Sequence, residues 1–405
     1  MKKYLILIMV MLLTLTGCGS YKLEDAVNDF TKKVENSKSY KLNGTMQINS
    51  GEEIFTYNID AYYLKDDYYK VILVNQTNNH EQVILKNKEG LYVVTPSLNK
   101  SFKFDSVWPE NSSQAYLLKN LVNDLKNDSE KEFEKLEKGY ILKSKVNYPN
   151  NEELNYQKLY FDKDMNLEKV EVFTSDNIVK IKVDFKNINL KAKLKEDDFV
   201  LDDLVKDNKM DNKDTDNNND NNSNNNINDS KENSNNKSQN NKKETNNKQI
   251  DNKENKDTGN NKSTNKECMN EDCKNQNTCE NNTCDKKTGA LDGIIYPLYL
   301  PTNTHLKSSE TIETANGDRV ILTFAGDKNF VIVEEMAKSA SEFEIIPVFG
   351  DPLMLDKTIA ALSSNSISWN SENISYYLVS SDLSTSEIVS VAKSLGNSKT
   401  VISTK

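Results

Sequence analysis

Four cysteines lie close together in a polar segment, where they could form disulfides or bind a metal ion. Cys268, Cys273, Cys279 and Cys284 occur in two similar units, CMNEDC and CENNTC. Outside the cytoplasm an even number of cysteines favours disulfides, and two small local loops are the simplest pairing. A zinc site is the alternative, although zinc sites more often combine C-x2-C spacing with a histidine. Thiols that stay reduced are a third interpretation.

The remaining cysteine, Cys18, follows a short apolar segment at the N-terminus. Two lysines precede an apolar run from Tyr4 to Leu15, and the residues Leu15-Thr16-Gly17-Cys18 resemble the lipobox of bacterial lipoproteins. Such a run is too short for a stable membrane span and is typical of a secretory signal. A lipobox implies a diacylglyceryl group on the Cys18 sulfur and cleavage just before it. We therefore predict a signal peptide over residues 1–17; an ordinary signal peptide with a chance cysteine is the alternative.

The rest of the 405-residue chain offers little for catalysis. His80 and His305 are its only histidines and lie far apart, which disfavours histidine-based metal sites and nucleophile–histidine catalysis. The chain has 62 acidic and 52 basic residues, a net charge of -10 and a single arginine, Arg319. A nucleic-acid-binding protein would normally carry a basic face with arginine. We expect no nucleic-acid partner, no cofactor and no enzymatic activity.

The composition changes sharply in the second half of the chain. Between Lys206 and Glu267, 23 of 62 residues are Asn, and no aromatic residue occurs between Phe199 and Tyr296. Such a segment cannot bury enough apolar surface to offset an ordering entropy of about 1–2 kcal/mol per residue. We therefore predict a folded domain over residues 18–205, a disordered linker with the four clustered cysteines over 206–290, and a small domain over 291–405.

The N-terminal domain shows both helical and β-strand patterns. An apolar face at helical spacing from Leu23 to Val34 predicts a first helix. About nine short runs of β-branched and aromatic residues, separated by turn residues, predict an antiparallel meander. A second amphipathic helix is predicted from Ser112 to Lys126, with Leu117, Leu121 and Leu125 on its apolar face. The pattern is that of an α+β domain in which helices cover one face of a curved sheet.

The C-terminal domain is also predicted to be α+β. Strands over Thr311–Thr314 and Arg319–Phe324 flank Ala-Asn-Gly-Asp, and Asn-Gly tolerates the positive φ angles of a hairpin turn. Ser384 and Glu387 form a capping-box pattern before an apolar helical face that ends at Gly396. We therefore expect a hairpin and a closing helix.

Several segments together resemble a known family. They are HEQVILKNKEGLYVVTPSLNKSFKFDSVWPENSSQAYLL from His80 to Leu118, the SYKLNGTMQI strand, the VNYPNN turn, and the C-terminal pattern LPTNT…GDRVILTFAGDKNF…VAKSLG. They are similar to sporulation-associated lipoproteins of Gram-positive endospore formers, which belong to the LolA-like group of outer-membrane lipoprotein-sorting proteins. The order of the two domains is also similar to that of the periplasmic stress regulator RseB.

The resemblance implies a half-open antiparallel β-barrel lidded by helices, joined by the linker to the small domain. Its apolar cavity takes an acyl chain in some relatives and serves protein contacts in others. The candidate cavity or lid residues are then Trp108, Leu117, Leu121 and Leu125. For Trp108 we favour the alternative of an aromatic packing corner beside a helix cap. Soluble LolA carriers hold the lid with an arginine, and the N-terminal domain has none, so we do not expect a shuttle.

These observations predict a membrane-anchored, non-enzymatic lipoprotein that acts in sporulation or germination. Two acyl chains on Cys18 would hold it stably on the outer face of the cytoplasmic membrane, or in the intermembrane space of the forespore. Its cavity would bind a lipid or an acylated ligand. The alternative, suggested by the related germination lipoprotein GerS, is a scaffold that docks an envelope or cortex-modifying enzyme.

Overall fold

The structure, a computed structural model, describes residues 21–201, 204, 291 and 293–396, except residues 52, 111, 150 and 316. Cys18 and the clustered cysteines Cys268, Cys273, Cys279 and Cys284 lie outside the described residues, as do the signal peptide and most of the linker. The modification of Cys18, the state of the four cysteines and the domain boundaries therefore stay predictions. Below, residues 21–204 are called the N-terminal lobe and residues 291–396 the C-terminal lobe.

Twelve strands form the first sheet. The N-terminal lobe supplies β1 Ser39–Asn49, β2 Ile54–Leu64, β3 Tyr68–Asn75, β4 Glu81–Asn87, β5 Gly90–Thr95, β6 Lys100–Phe104, β7 Glu132–Lys135, β8 Gly139–Lys145, β9 Leu154–Asp162, β10 Leu167–Thr174 and β11 Val179–Asn189. The C-terminal lobe supplies β15, Glu344–Val348. The order is β15-β6-β5-β4-β3-β2-β1-β11-β10-β9-β8-β7, and only β15 and β6 run parallel. Alternation along β2 places Phe55, Tyr57 and Ile59 on the buried face of this sheet.

Two helices cover this buried face. Helix α1, Leu23–Glu35, buries Ala26, Phe30 and Val34 against the sheet, which confirms the first predicted helix. Helix α2, Leu118–Asn127, packs beside it and begins six residues later than the predicted start at Ser112.

The predicted start of α2 was wrong because polar contacts hold residues 112–117 outside the helix. The Ser113 backbone N–H donates to the Asn147 carbonyl at 2.7 Å. The Asn120 side-chain amide donates to the Pro109 carbonyl at 2.7 Å and to the Ser112 carbonyl at 2.8 Å. These bonds satisfy the backbone in place of helical ones.

The opposite face of the sheet is covered in part by the end of the N-terminal lobe. A 3-10 turn over Glu196–Phe199 brings Phe199 and Leu201 onto Tyr68, Leu85 and Val94, and all five are buried. The alternation along β5 explains this arrangement, since Val93 belongs to the core under the helices while Val94 faces the turn.

Seven strands of the C-terminal lobe form the second sheet, which is antiparallel throughout. They are β12 Thr304–Thr314, β13 Gly317–Gly326, β14 Phe330–Met336, β16 Asp351–Met354, β17 Ile359–Leu362, β18 Ser366–Ser371 and β19 Ile374–Val379. Helix α3, Thr385–Gly396, packs on this sheet. The hairpin and the helix are both as predicted, and the Glu387 backbone N–H donates to Ser384 Oγ at 3.3 Å as a capping box requires.

The two lobes are in direct contact. Beyond the β15–β6 pairing, the Tyr57 hydroxyl donates to the Asp356 carbonyl at 2.6 Å. The Ile359 backbone N–H donates to Gln82 Oε1 at 2.8 Å. Ile359 and Ala361 belong to the same core as α1 and α2. The C-terminal lobe is therefore part of the wall of the N-terminal core.

The described chain is thus mostly β-structure, with few helices and two large, mainly antiparallel sheets. This confirms the predicted class in outline. In the described residues the outer strands of the first sheet, β15 and β7, do not pair with each other, so that sheet is open. The finer expectation of a half-open barrel stays a prediction.

Candidate functional site

A cavity of about 470 Å³ lies where the two lobes meet. This volume falls in the range of roughly 300–1,000 Å³ that is typical of small-molecule sites. The N-terminal lobe lines it with residues from β1, β3, β4, β11 and the segments around residues 108–116 and 148–154. The C-terminal lobe lines it with β16, Asp356, Ile359 at the start of β17, and α3.

The floor of the cavity is apolar. Met46 and Ile48 point into it from β1, two residues apart and so on one face of the strand. Leu73 and Ile84 extend this surface on β3 and β4. The C-terminal lobe faces them with the residues Leu353, Met354 and Ile359. An apolar ligand placed here would be removed from water on both sides.

Trp108 forms part of the wall. Its side chain is almost fully buried, lines the cavity and meets the Tyr69 ring edge-on at 6.0 Å between centroids. Its backbone N–H donates to Ser106 Oγ at 3.0 Å, and the peptide bond to Pro109 is cis. Trp108 therefore combines both interpretations of the sequence, since it borders the cavity and packs in an aromatic corner.

A buried polar network holds the wall segment in place. The Ser113 hydroxyl donates to Asp124 Oδ1 at 2.9 Å, and the Gln157 amide donates to Asp124 Oδ2 at 2.9 Å. Burial raises the pKa of the Asp124 carboxyl to about 6, although these two hydrogen bonds oppose the shift. The Asn147 backbone N–H also donates to Ser113 Oγ at 2.8 Å. The network holds residues 112–116 over α2, and the four residues that form it are not themselves in the cavity lining.

Charged and polar groups lie around the rest of the lining. Lys180 Nζ is 3.3 Å from Glu153 Oε2, and Lys393 Nζ is 3.5 Å from Asp356 Oδ1. Asp351 Oδ1 accepts a hydrogen bond from Ser106 Oγ. The cavity thus combines an apolar floor with a few convergent polar groups, which is the usual composition of a ligand site.

The structure separates the predicted site residues into two groups. Trp108 lines the cavity. Leu117, Leu121 and Leu125 are fully buried in the core between α2 and the sheet, and none of them is in the cavity lining. They lie together, but away from the space they were expected to cover.

Sequence reasoning missed the whole contribution of the C-terminal lobe. Leu353, Met354 and Lys393 follow the linker by more than sixty residues, and no local pattern links them to β1. The one available signal was the spacing of Ser390, Lys393 and Ser394, which places three polar residues on one face of a helix.

Other kinds of site find no support in the described residues. No group of three or more His, Cys, Asp or Glu side chains in this part of the chain could hold a metal ion. None of the helices described is long and apolar enough to cross a membrane. His80 lies in a separate polar groove, and burial lowers the pKa of its imidazole.

Comparisons with known proteins give a clear result at the level of sequence. Residues 1–199 match the model of a family described as sporulation protein YdcC-like. The chain is 32% identical over 384 residues to the sporulation protein YdcC of Bacillus subtilis strain 168, covering 95% of this chain and 93% of that protein.

Comparisons with solved structures are weaker. A chain of the MucA/MucB complex of Pseudomonas aeruginosa matches with a TM-score of 0.27 and 11% identity, over 91% of this chain and 98% of that one. A LolA superfamily protein from Nitrosomonas europaea matches with a TM-score of 0.27 and 10% identity, over 45% of this chain and 98% of that one. At these scores the matches support no conclusion about function.

Proposed function

The chain belongs to the YdcC-like family of sporulation proteins, and from this premise we propose that it is a membrane-anchored, non-enzymatic lipoprotein that binds a lipid or an acylated ligand during sporulation or germination. Two acyl chains on Cys18 would anchor it on the outer face of the cytoplasmic membrane or in the intermembrane space of the forespore. The cavity between the lobes would receive the ligand.

One observation carries this proposal: apolar side chains from both lobes line the cavity of about 470 Å³. Met46, Leu73 and Ile84 on one side and Leu353 and Met354 on the other would contact a hydrocarbon chain. Burial of apolar surface contributes roughly 25 cal/mol per Å², so a chain of several methylene groups would bind without any specific polar contact.

Uptake of a fluorescent fatty acid by the purified full-length protein tests the proposal. Ile48 is half-buried and lines the cavity, so Ile48→Trp should fill the space and reduce uptake at least tenfold. Ile54→Trp is the matched control, because Ile54 is exposed and outside the cavity lining. Equal uptake by the two variants, or no uptake by the wild type, would contradict a ligand role for this cavity.

A second candidate function, docking of an envelope or cortex-modifying enzyme, is supported by an exposed apolar stripe. Ile345, Pro347 and Phe349 follow one another at every second residue along and just after the edge strand β15, and the Phe349 side chain is 84% exposed. Val107, 62% exposed, follows the paired strand β6 at the same end. Exposed apolar surface of this kind is typical of protein contacts.

The stripe would act through its side chains rather than by adding a strand. Pro347 has no N–H group, so the outer edge of β15 lacks one of the donors that a new strand would need. Phe349→Ser should weaken capture of an envelope enzyme from sporulating cells, while Leu298→Ser, at a similarly exposed position of 71%, should not. If both variants capture partners as well as the wild type does, the stripe is not a docking site.

A further inference from the structure

Helix α3 has two chemically different faces. Its apolar residues Ile388, Val391, Ala392 and Leu395 are buried in the core of the C-terminal lobe. Ser390, Lys393 and Ser394 are spaced by three, one and four positions, which places them together on another face, and all three line the cavity. A polar helix face is therefore present on one side of a space whose floor is apolar.

Lys393 brings a positive charge to this helix face. Its Nζ lies 3.5 Å from Asp356 Oδ1, whereas Lys169 and Lys143 approach their carboxylate partners to 2.7 and 2.8 Å. An ammonium group has three N–H donors, so one long contact does not use its full capacity. The Lys393 side chain is only 33% exposed, and charge interactions are stronger at such a site than in bulk water.

The carboxylates around the cavity are already held by the protein. Asp351 accepts from Ser106, Glu153 pairs with Lys180, and Asp356 pairs with Lys393. The hydroxyls of Ser390 and Ser394 donate to helix carbonyls at 2.9 and 2.7 Å, and a hydroxyl can rotate to donate to a ligand instead. The ammonium and the two hydroxyls together suit an oxyanion.

We propose that Lys393, Ser390 and Ser394 form a head-group subsite for an amphiphile with an anionic head, either a carboxylate or a phosphate. This inference rests on the proposed function, because the tail of the same ligand would lie on the apolar floor formed by Met46, Leu73 and other side chains. The subsite adds a preference for charge to a cavity that would otherwise select only for apolar surface.

Competition against a fluorescent fatty acid, with the full-length protein, tests the subsite. The competitors are tetradecanoate, tetradecyl phosphate and tetradecanol, which share one tail and differ only in the head. The wild type should bind at least one of the two anions about tenfold more tightly than the alcohol, and the stronger anion identifies the head chemistry. Lys393→Gln should abolish this preference while retaining the affinity for tetradecanol, and Lys393→Arg should restore it.

Lys328→Gln is the matched control. Lys328 has nearly the same exposure, 34%, and an ion pair of the same length, 3.5 Å to Glu387, but it is outside the cavity lining. This variant should keep the wild-type preference. If the wild type binds tetradecanol as tightly as both anions, or if Lys393→Gln keeps the preference, the subsite is refuted while the cavity proposal stands. If no amphiphile binds to the wild type, the proposed function itself fails.

Discussion

Helices α2 and α3 are both amphipathic and both pack on a sheet, but they relate to the cavity in opposite ways. The apolar face of α2 is fully buried in the core, and Leu117, Leu121 and Leu125 are not in the cavity lining. The apolar face of α3 is buried as well, while its polar residues Ser390 and Lys393 line the cavity. In this protein the polar face of a helix therefore marks the site, and the apolar face marks the core.

The largest expected effect concerns the buried face of α2. Leu121 is fully buried among core residues, so Leu121→Ala should leave a void and lower the free energy of unfolding by about 2–5 kcal/mol. Ser390→Ala, on the cavity face of α3, should change it by less than about 0.5 kcal/mol. Urea denaturation of both variants measures the difference. A cost below about 1 kcal/mol for Leu121→Ala would show that α2 is a loosely packed lid.

Each lobe contains a carboxyl group whose pKa is raised by burial, and the two pKa values differ. Burial raises the pKa of Glu334, in β14 of the C-terminal lobe, to about 7, and that of Asp124, in α2, to about 6. Both values lie above those of an unfolded chain, so the folded state holds each proton more tightly. Each group therefore adds stability as the pH falls through its folded pKa, and this stability is lost as the pH rises.

The free energy of unfolding, measured from pH 8 to 4.5, tests this sign. Glu334 should contribute about 3 kcal/mol to its rise on acidification, starting near pH 7, and Asp124 about 2 kcal/mol, starting near pH 6. Glu334→Gln and Asp124→Asn should each remove the corresponding part of the rise. A profile that is unchanged in both variants would mean that neither carboxyl has a raised pKa.

A smaller effect is expected at the contact between the lobes. The Tyr57 hydroxyl donates to the Asp356 carbonyl at 2.6 Å, in a buried position beside the cavity. Tyr57→Phe should cost about 1 kcal/mol, because it removes one net hydrogen bond and leaves a buried acceptor unpaired. Tyr160→Phe, which removes a hydrogen bond to Glu171 away from the cavity, is the control. Thermal unfolding of the two variants compares the loss of stability. Equal losses would mean that the hydrogen bond between the lobes stabilises the fold no more than one within the N-terminal lobe.

The sequence predicted those features that depend on neighbouring residues. The spacing from Leu23 to Val34 identified α1, Asn-Gly identified the hairpin between β12 and β13, and Ser384 with Glu387 identified the start of α3. Each of these signals is local, because helix spacing, turn conformation and caps depend on residues a few positions apart.

Features that depend on distant contacts could not be predicted. The start of α2 shifted because Asn120 and Ser113 bond to residues 109, 112 and 147 instead of continuing a helix. The pairing of β15 with β6 joins residues more than two hundred positions apart. The cavity likewise combines residues of β1, β3 and β4 with residues of β16 and α3. A single sequence carries no record of such pairings.

Photo-crosslinking with a fatty acid that carries a diazirine on its tail tests the proposed ligand site most directly. After irradiation of the full-length protein and digestion, we expect labels on peptides that contain Leu73 or Ile84 and on peptides that contain Leu353 or Met354, because both lobes line the cavity. Peptides that contain Leu121 and Leu125 should stay unlabelled. Labelling concentrated on α2, or confined to one lobe, would contradict a ligand site shared between the lobes.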